Sequence, residues 1–514
     1  MLALLRKPRT AAWSPPLAVD HAPALLILAI TLFLLAWFTG PLCPDVSGQF
    51  WNAHAMRRGA RLYVDIVEIN PPLWFWMAMP VDRLAELLGV RTQPVTIMVI
   101  AATVLGAVYA VGRLLPDASS RARAAFLAYV AAILLIMPAR QLEQREHLVL
   151  IGAVPYLVLA AARRQQRDVR PMLALLIGVG AGLGFALKPY FLAVPASVEL
   201  WLIVALRRAW RPGRPEIAAL CMTGAAYAAA VLIFTPQYLS SAIPLLLTAY
   251  NGFGATFMQT IGLLPLIWLC ILLGIIEQWR ASRWPPAPLT TALLIGAGGF
   301  ALAWALQHKG WLYQGLPASG CGALALAAIL FETGPSASRL VRLFAPALLV
   351  WPLSFAIVDT ETTITPNNDI APALAELQAG DAFGLVSTAG ATTWPSTVDR
   401  DLRLSSRYGQ YWMLRALDQR PNDPAIRALA QRAVEETALD YRCLPPKVII
   451  FVRLDRSPSN TEITTDPYRF FAHDPSFAAV LGRYRLWRIG PAYDAYRQAL
   501  PLDPIDASLC RRPG

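Results

Sequence analysis

The sequence predicts a mainly helical, polytopic membrane protein: a bundle of about eleven spans followed by a soluble C-terminal α/β domain. The chain has 514 residues, 56% of them hydrophobic, and a mean hydropathy of +0.46. Its charged fraction is 15%, whereas soluble domains average about 25%. Apolar runs of about 20 residues, the length that crosses a bilayer, recur from residue 23 to residue 358. Beyond them the charge rises, so we predict three parts: a tail at 1–22, a transmembrane domain at 23–358 and a soluble domain at 359–514.

Basic residues predict the orientation of the spans. Arg6, Lys7 and Arg9 precede the first apolar run and favour a cytoplasmic N-terminus. No small-residue cleavage site follows that run, so we expect it to remain as an anchor. Later basic clusters all become cytoplasmic if spans lie near 23–41, 92–114, 124–138, 147–162, 171–187, 190–206, 217–235, 259–276, 289–306, 315–331 and 341–358. The first long loop, 42–91, and the C-terminal domain then face outward.

Positive charge also occurs where this topology disfavours it. Outer loops contain Arg57, Arg58, Arg61, Arg140 and Arg145, and Lys188 and Lys309 lie at the outer ends of spans. Two explanations remain open. The cations either pair with Asp45, Asp65, Glu68, Glu143 and Glu146, or bind an anionic partner such as a lipid phosphate. Because the topology already accounts for the net charge of +12, nucleic acid is not expected as a partner.

The C-terminal domain has the pattern of a small α/β layer with partly parallel strands. Helices are predicted at 369–378 (capped by Asp369), 410–417 and 423–441, and strands at 383–388, 447–454 and 484–490. The domain contains neither a glycine-rich phosphate loop nor a nucleophile elbow. It is predicted either to cover the outer face of the membrane domain or to recognise an acceptor.

The cysteines are distributed as this topology requires. Cys221, Cys270 and Cys321 fall in spans, and no spacing is typical of zinc. Cys43, Cys443 and Cys510 lie outside, where disulfides persist. We predict a disulfide between Cys443 and Cys510.

The first outer loop combines a carboxylate with two amphipathic segments. Asp45 follows the first span directly, and "SGQFWNAHAMRRG" (47–59) predicts an interfacial helix that ends at Gly59. "NPPLWFW" (70–76) turns the chain and begins a second segment, with Trp74 and Trp76 expected at headgroup depth. A carboxylate fixed at the base of such a loop could act as a general base on an acceptor hydroxyl.

These segments resemble the GT-C glycosyltransferases, integral membrane enzymes that use polyprenyl-phosphate sugars, in particular the protein mannosyltransferase and aminoarabinose transferase branches. The resemblance rests on an Asp soon after the first span, on "RRGARLYVDI" and "NPPLWFW" in the first loop, and on "QLEQREHLVL", "ALKPYFLAVPASVEL" and "QHKGWLYQGLPA". It covers most of residues 23–330. The order and the sidedness of these stretches are more specific than any one of them.

The resemblance implies that Asp45 is the catalytic base of an inverting transfer. The leaving phosphate is already ionised, so it needs positive groups to hold it rather than an acid. Residues placed for contact with the donor are Arg58, Arg140, Arg145, His147, Lys188, His308, Lys309 and Tyr313.

Other roles stay open in the sequence. Many family members have a second acid directly after the Asp, and Val46 stands there in this chain. Asp65 and Glu68 either replace it, as metal or sugar contacts, or pair with nearby arginines. No metal site is assigned, although a divalent metal remains compatible with the resemblance. Glu199, within a span, is either functional or paired with a neighbouring helix.

Three functions compete at this level. A glycosyltransferase would move a sugar from a polyprenyl-phosphate donor to an envelope glycan, lipid or protein. A transporter or flippase would show internal repeats and ionisable groups near the midplane, and neither pattern is evident. A scaffold would not require outward-facing arginines around an Asp. The Ala- and Arg-rich composition predicts a bacterial inner membrane with a periplasmic tail domain; the sugar, the acceptor and the oligomeric state are not predicted.

Overall fold

The structure is a computed structural model. It describes residues 42–116, 119–250, 254–262, 287–333, 370–388, 400–453, 465–503, 505–506 and 508–510, together with isolated positions between these ranges. The predicted tail at 1–22, the eleventh span at 341–358 and the domain boundary at 359 lie outside the described residues, as do most of the first span and most of the span at 259–276.

The described part of residues 42–333 is helical throughout. Its α-helices are α1 (Pro44–Arg57), α2 (Leu73–Leu88), α3 (Thr92–Leu114), α4 (Ser120–Leu135), α5 (Arg145–Arg164), α6 (Pro171–Ala186), α7 (Ala193–Leu206), α8 (Pro215–Phe234), α9 (Ile243–Ala249), α10 (Phe257–Gly262), α11 (Pro288–Gln307) and α12 (Leu316–Thr333). Short 3-10 turns precede α5, α7 and α12, and a π-helical turn, Tyr238–Ala242, leads into α9.

Most predicted spans coincide with these helices. Among the described residues, six helical segments are long and apolar enough to cross a membrane: Thr92–Leu114, Arg145–Arg164, Pro189–Ala209, Pro215–Phe234, Pro288–Gln307 and Leu312–Glu332. The predicted spans at 124–138 and 171–187 correspond to the shorter helices α4 and α6. The chain is therefore a multi-pass helical membrane protein, and the count of eleven spans stays a prediction.

Small residues allow the helices of this bundle to approach closely. A Cβ at Gly152 of α5 would lie 2.6 Å from the carbonyl oxygen of Gly180 in α6. A Cβ at Gly178 of α6 would lie 2.3 Å from the carbonyl oxygen of Glu216 in α8. Both distances are shorter than real contacts, so these crossings require glycine. Membrane helices commonly pack through such small residues, because lipid supplies no hydrophobic force between them.

The first outer loop forms the two predicted helices. Helix α1 ends at Arg57, and the chain leaves it through Gly59, whose φ of +99° suits a residue without a Cβ. Only 2% of Trp74 is exposed, because its ring packs inside the protein against Arg145, and its depth relative to the headgroups stays a prediction. Trp76 is half-buried, and its ring lies 6.1 Å from that of Tyr227.

The C-terminal domain is the predicted α/β layer. Its helices are α13 (Ala371–Leu374), α14 (Met413–Gln419), α15 (Pro424–Cys443), α16 (Pro467–Ala472) and α17 (Pro475–Leu481), and its strands are β1 (Ala382–Val386), β2 (Arg403–Leu404), β3 (Val448–Val452), β4 (Tyr484–Ile489) and β5 (Tyr493–Gln498). The sheet order is β2-β1-β3-β5-β4, with β1 parallel to β2 and β3 and with β5 antiparallel to both of its neighbours.

Several details of this domain differ from the prediction, and helices α16 and α17 are among the elements that were not predicted. Strands β2 and β5 were not predicted: β2 has two residues, and the half-polar β5 owes its place to pairing with β3 and β4. The helix predicted at 369–378 is one turn, and its expected cap Asp369 lies outside the described residues. Helix α15 begins as predicted, because Asp423 accepts hydrogen bonds from the amides of Ala425 and Ile426.

The predicted disulfide between Cys443 and Cys510 is present, and it ties the end of the chain to α15. The domain also contacts the membrane part directly. Val67 donates its amide to the Arg407 carbonyl over 2.9 Å, and Arg420 donates to the Thr248 carbonyl over 2.7 Å. The domain therefore rests on the outer loops through backbone as well as side-chain contacts.

Candidate active site

Asp45 lies in the first turn of α1, where an acidic side chain faces the positive end of the helix dipole. It is exposed, and Gln144 Nε2 donates a hydrogen bond of 3.0 Å to its Oδ2. The same amide lies 3.6 Å from the sulfur of Cys43. One carboxylate oxygen is therefore fixed by a neutral donor, and the other remains accessible.

The loop between α4 and α5 holds Gln144 in place. Its anchor is His147, which is fully buried: Nδ1 accepts from the Glu143 amide over 3.0 Å, and Nε2 lies 2.7 Å from the Leu134 carbonyl. Both ring nitrogens are therefore engaged with the backbone. The position of His147 on α5 turns the ring into the bundle, and the contact of this residue with a donor stays a prediction. The signal for Gln144 was present in "QLEQREHLVL", but a neutral amide did not stand out among charged neighbours.

Arg145 connects this loop to the turn in the first outer loop. Its Nη1 donates to the Asn70 side-chain oxygen, and its guanidinium lies 4.7 Å from the centroid of the Trp74 ring. Glu68 shapes that turn by accepting from the amides of Ile69 and Asn70, at 2.7 and 3.0 Å. Burial raises the pKa of Glu68, and these hydrogen bonds oppose the rise. Glu68 is thus a structural residue that places Asn70, and through it Arg145, rather than a free second acid.

Lys188 is buried in an ion pair with Glu146, which agrees with the first of the two explanations that the sequence left open. Its Nζ lies 2.5 Å from Glu146 Oε1 and 3.0 Å from Gln307 Oε1, and Gln314 donates to the same Gln307 oxygen over 3.2 Å. Burial, assisted by the Arg145 charge, lowers the pKa of Lys188 to about 8, although Glu146 and Asp45 oppose this shift. Lys188 is therefore a shared cation of the site, not an isolated phosphate ligand.

An aromatic row continues from Lys188 to Lys309. The Lys188 amine lies 5.9 Å from the centroid of the Tyr313 ring, and Tyr313 stacks on Trp311 with centroids 5.9 Å apart. Trp311 contacts Tyr250 edge-on at 6.1 Å, and Lys309 Nζ lies 4.3 Å from the Tyr250 ring centroid while donating to its carbonyl over 2.7 Å. Tyr250, in the loop predicted at 236–258, is a member of the site that sequence reasoning missed.

Burial lowers the pKa of the Lys309 ammonium to about 8, because part of its hydration is lost against the aromatic row. Neighbouring His308 ends α11 in the left-handed region with φ of 50°, and its ring is exposed.

Two predicted residues lie away from this cluster. Arg58 is exposed at the end of α1, 4.0 Å from Asp401 of the C-terminal domain. Asp65 pairs with Arg61 over 3.1 Å. Both line a separate cleft, because α1 carries Arg58 well beyond Asp45. Asp65 therefore does not supply a second acid beside Asp45.

Several buried polar atoms near Asp45 have no hydrogen-bond partner among the described residues. Buried polar atoms without a hydrogen-bond partner among the described residues include Arg140 Nε, Glu143 Oε2, Gln144 Oε1, Arg145 Nε, Glu146 Oε2 and Gln314 Oε1. An unpaired buried polar atom costs about 1–3 kcal/mol, so proteins rarely leave several together. Burial also raises the pKa of Glu143 to about 8, which favours its neutral form at neutral pH. A polar ligand would complete these groups.

Within the described part of the chain, no three His, Cys, Asp or Glu side chains are grouped so that they could hold a metal ion. We therefore assign no metal ligands. Asp45 has one neutral amide and a free oxygen beside cations, which suits proton transfer or contact with a polar ligand.

No family model matches the chain, and no curated protein is significantly similar to it. Two solved structures are similar in fold. The Archaeoglobus fulgidus oligosaccharyltransferase has a TM-score of 0.43 and 11% identity, with 84% of this chain and 70% of that chain covered. The arabinofuranosyltransferase AftD from Mycobacteria has a TM-score of 0.45 and 16% identity, with 92% of this chain and 41% of that chain covered. Both names are those of glycosyltransferases, the class of protein that the sequence was found to resemble.

Proposed function

We propose that this protein is a membrane glycosyltransferase that moves a sugar from a polyprenyl-phosphate donor to an envelope glycan, lipid or protein. The observation that carries the proposal is the pairing of an exposed carboxylate, Asp45, with a partly unsatisfied set of buried cations beside it. A base and an anion site in contact are what sugar transfer from a lipid phosphate requires.

The proposed reaction is a single inverting displacement. Asp45 takes the proton of the acceptor hydroxyl through its free oxygen while Gln144 holds the other oxygen in place. The acceptor oxygen forms a bond to the anomeric carbon, and the bond from that carbon to the phosphate oxygen breaks. Polyprenyl phosphate departs with the electron pair, and the proton stays on Asp45 until solvent removes it.

The departing phosphate would be held by Arg145, Lys309 and Arg140. Arg145 is fixed by Asn70 and Trp74, and its buried Nε has no partner in the described structure, so one donor direction remains for a ligand. Lys309 uses one of its three protons on Tyr250. Lys188 would contribute positive charge without being the main hydrogen-bond donor to the phosphate, because it already donates hydrogen bonds to Glu146 and Gln307. Preorganised charges of this kind stabilise a transition state without rearranging during the reaction.

Several residues would support the sugar rather than the phosphate. Tyr313 and Trp311 present stacked rings beside the Lys188 cation. Aromatic faces combine apolar area with few rotatable bonds, and these rings lie between the two lysines of the site. Tyr313 is thus the proposed sugar contact among the residues predicted from the sequence. We also propose that the site faces the periplasm of a bacterial inner membrane.

The first testable prediction concerns Asp45. Asp45→Asn keeps the side chain's size and its contact with Gln144 but removes the basic oxygen, so turnover should fall about 10²- to 10⁴-fold. Donor binding should survive, because the cations are untouched. The measurement is transfer of labelled sugar from a synthetic polyprenyl-phosphate sugar by purified protein, with binding of the same donor recorded separately.

The matched control is Asp503→Asn, a distant and exposed carboxylate of the C-terminal domain. Normal turnover by folded Asp45→Asn protein would remove Asp45 from the role of base. If the donor crosses proteoliposome membranes but no sugar is transferred, the flippase alternative replaces the transferase.

A further inference from the structure

A second cleft, distinct from the site around Asp45, lies between the first outer loop and the C-terminal domain, and its lining combines apolar and charged side chains. It has a volume of about 690 Å³, within the range of ligand pockets. Its walls come from α1, α2, the 60–66 turn, the segment 401–407 and the end of α15. The cleft therefore exists only because the C-terminal domain rests on the outer loop.

The cleft cannot be an extension of the Asp45 site across α1. His54, in its wall, follows Asp45 by nine residues, which is about two and a half helical turns and roughly 13 Å. Because nine residues are two whole turns plus about half a turn, His54 lies on the face of α1 opposite Asp45. A ligand in the cleft would therefore not be the reacting sugar.

The charges that line the cleft balance each other. Five carboxylates (Asp65, Asp82, Glu86, Asp401 and Asp440) stand beside three guanidinium groups (Arg58, Arg403 and Arg407). Arg57 pairs with both acids of α2, and Arg61 pairs with Asp65, so the excess negative charge is already compensated. The cleft is dense in hydrogen-bonding groups but leaves no net charge to attract an ion.

Two features favour a polyhydroxylated ligand. Trp51 is half-buried in the wall, next to the charged groups, and its ring centroid lies 5.1 Å from that of Trp394. Arg58 and Arg403 are exposed at the opening, and the Asp401 oxygen is 4.0 Å from Arg58, so these side chains can turn toward a ligand. The buried wall atoms Ser405 Oγ and His54 Nε2 also lack hydrogen-bond partners in the described structure.

We propose that this cleft binds a neutral saccharide of about two or three units, the size that a pocket of this volume accommodates. The C–H face of a sugar ring packs on Trp51, and its hydroxyl groups exchange hydrogen bonds with Arg58, Arg403 and Asp401. This identification of the ligand rests on the proposed glycosyltransferase function. The saccharide is then the part of a glycan acceptor that lies farther from Asp45.

The test is direct binding of mannotriose, arabinotriose and maltotriose to the purified full-length protein, measured by saturation-transfer NMR. At least one trisaccharide should bind, and Arg403→Ala should weaken it about tenfold, as expected for a lost charge-assisted hydrogen bond. Trp51→Ala should weaken binding by a similar factor. The matched control is Arg485→Ala, an exposed arginine of β4 in the same sheet.

The outcomes separate this proposal from the catalytic one. Asp45→Asn should bind the trisaccharide normally while it fails to transfer sugar; if it transfers normally, the assignment of the base fails and the cleft stands. The cleft proposal is overturned if no trisaccharide binds, if Arg403→Ala and Arg485→Ala bind alike, or if inorganic phosphate displaces the saccharide. If Trp51→Ala does not fold, the exposed Arg403 still decides the question.

Discussion

Helix α5 carries a charged cluster at each end, and the two clusters are built differently. At its C-terminal end, Arg163 donates two hydrogen bonds of 3.0 Å to Glu216, and Arg214 reaches both Glu216 and Glu199. Glu199 also accepts from Tyr156 and Trp210 at 3.2 and 3.0 Å. At the N-terminal end, roughly 27 Å away along the helix, the cluster around Arg145 and Glu146 keeps several buried polar atoms without partners in the described structure.

The difference separates a charge cluster whose side-chain hydrogen bonds are complete from one that keeps unpaired buried atoms among the described residues. The C-terminal cluster is closed: its carboxylates are shared among arginines, and none of its side-chain polar atoms is among the unpaired ones. Its role is to join α5, α7 and α8. Glu199, which the sequence left as either functional or paired with a neighbouring helix, is therefore paired. The N-terminal cluster is open, and an exposed carboxylate stands beside it. Both clusters are buried and charged, so these properties do not distinguish them. They differ in whether their buried polar atoms have hydrogen-bond partners.

The largest effect is expected when the cluster at the C-terminal end of α5 loses a carboxylate. Glu216→Ala leaves Arg163 buried without its partner, which should destabilise the protein by about 3–5 kcal/mol. Turnover per folded molecule should stay normal, because the change lies at the far end of α5 from Asp45. Thermal unfolding in detergent and sugar transfer measure the two effects, with exposed Glu435→Ala as the control. A selective loss of turnover with unchanged stability would contradict the structural role.

The converse change acts on the open cluster. Arg145→Ala removes a cation that faces the donor, and loss of a charge-assisted hydrogen bond of about 1.5–3 kcal/mol should weaken donor binding about 10- to 100-fold. Arg145→Lys keeps the charge but not the fork that meets Asn70, so it should recover part of the affinity. Isothermal binding of the donor is the measurement, and exposed Arg432→Ala is the control. Unchanged affinity in folded Arg145→Ala protein would exclude Arg145 from the phosphate site.

The open cluster also depends on support from the C-terminal domain. A Cβ at Gly48, one turn beyond Asp45, would lie 2.7 Å from the indole nitrogen of Trp394. Gly48→Ala should therefore displace α1 or Trp394 at a cost of about 1–3 kcal/mol, with a lower rate of transfer and little change in donor affinity. Gly106→Ala in α3 is the control, because a Cβ there meets nothing within 4 Å. Equal rates for the two variants would show that the domain does not position Asp45.

The smallest expected effect is a dependence on pH. The pKa of Lys309 is lowered by burial to about 8, so the ammonium is present at pH 7 and is lost as the pH rises. Donor binding should weaken up to about tenfold between pH 7 and pH 9. Lys309→Arg stays charged and should remove this part of the decline. The control is Lys447→Arg, an exposed lysine paired with Asp381. If Lys309→Arg and the parent protein decline alike, Lys309 is not the titrating group.

The sequence by itself determined the class of the fold, because hydropathy and the period of apolar residues are local properties. Apolar runs gave the helices of the bundle within a few residues, and the "PAIRALAQRAVEETALDY" pattern gave α15. A helix in the first outer loop, predicted at 47–59 and found as α1, and the pairing of Cys443 with Cys510 were also predicted correctly. The helices depend on residues that are close together in the chain, and the disulfide depends on an oxidising compartment.

Only the tertiary structure decided which charges belong together. Nothing local in the sequence joins Glu146 to Lys188, which are 42 residues apart, or Asn70 to Arg145, which are 75 apart. Nor does it show that His147 turns inward while Arg145 faces Trp74, since that depends on the rotation of α5 against its neighbours. Long-range packing sets which polar atoms are paired and which are left for a ligand. The sequence therefore supplied the ionisable residues of this protein, and long-range packing decided which of them pair with one another and which keep unpaired atoms among the described residues.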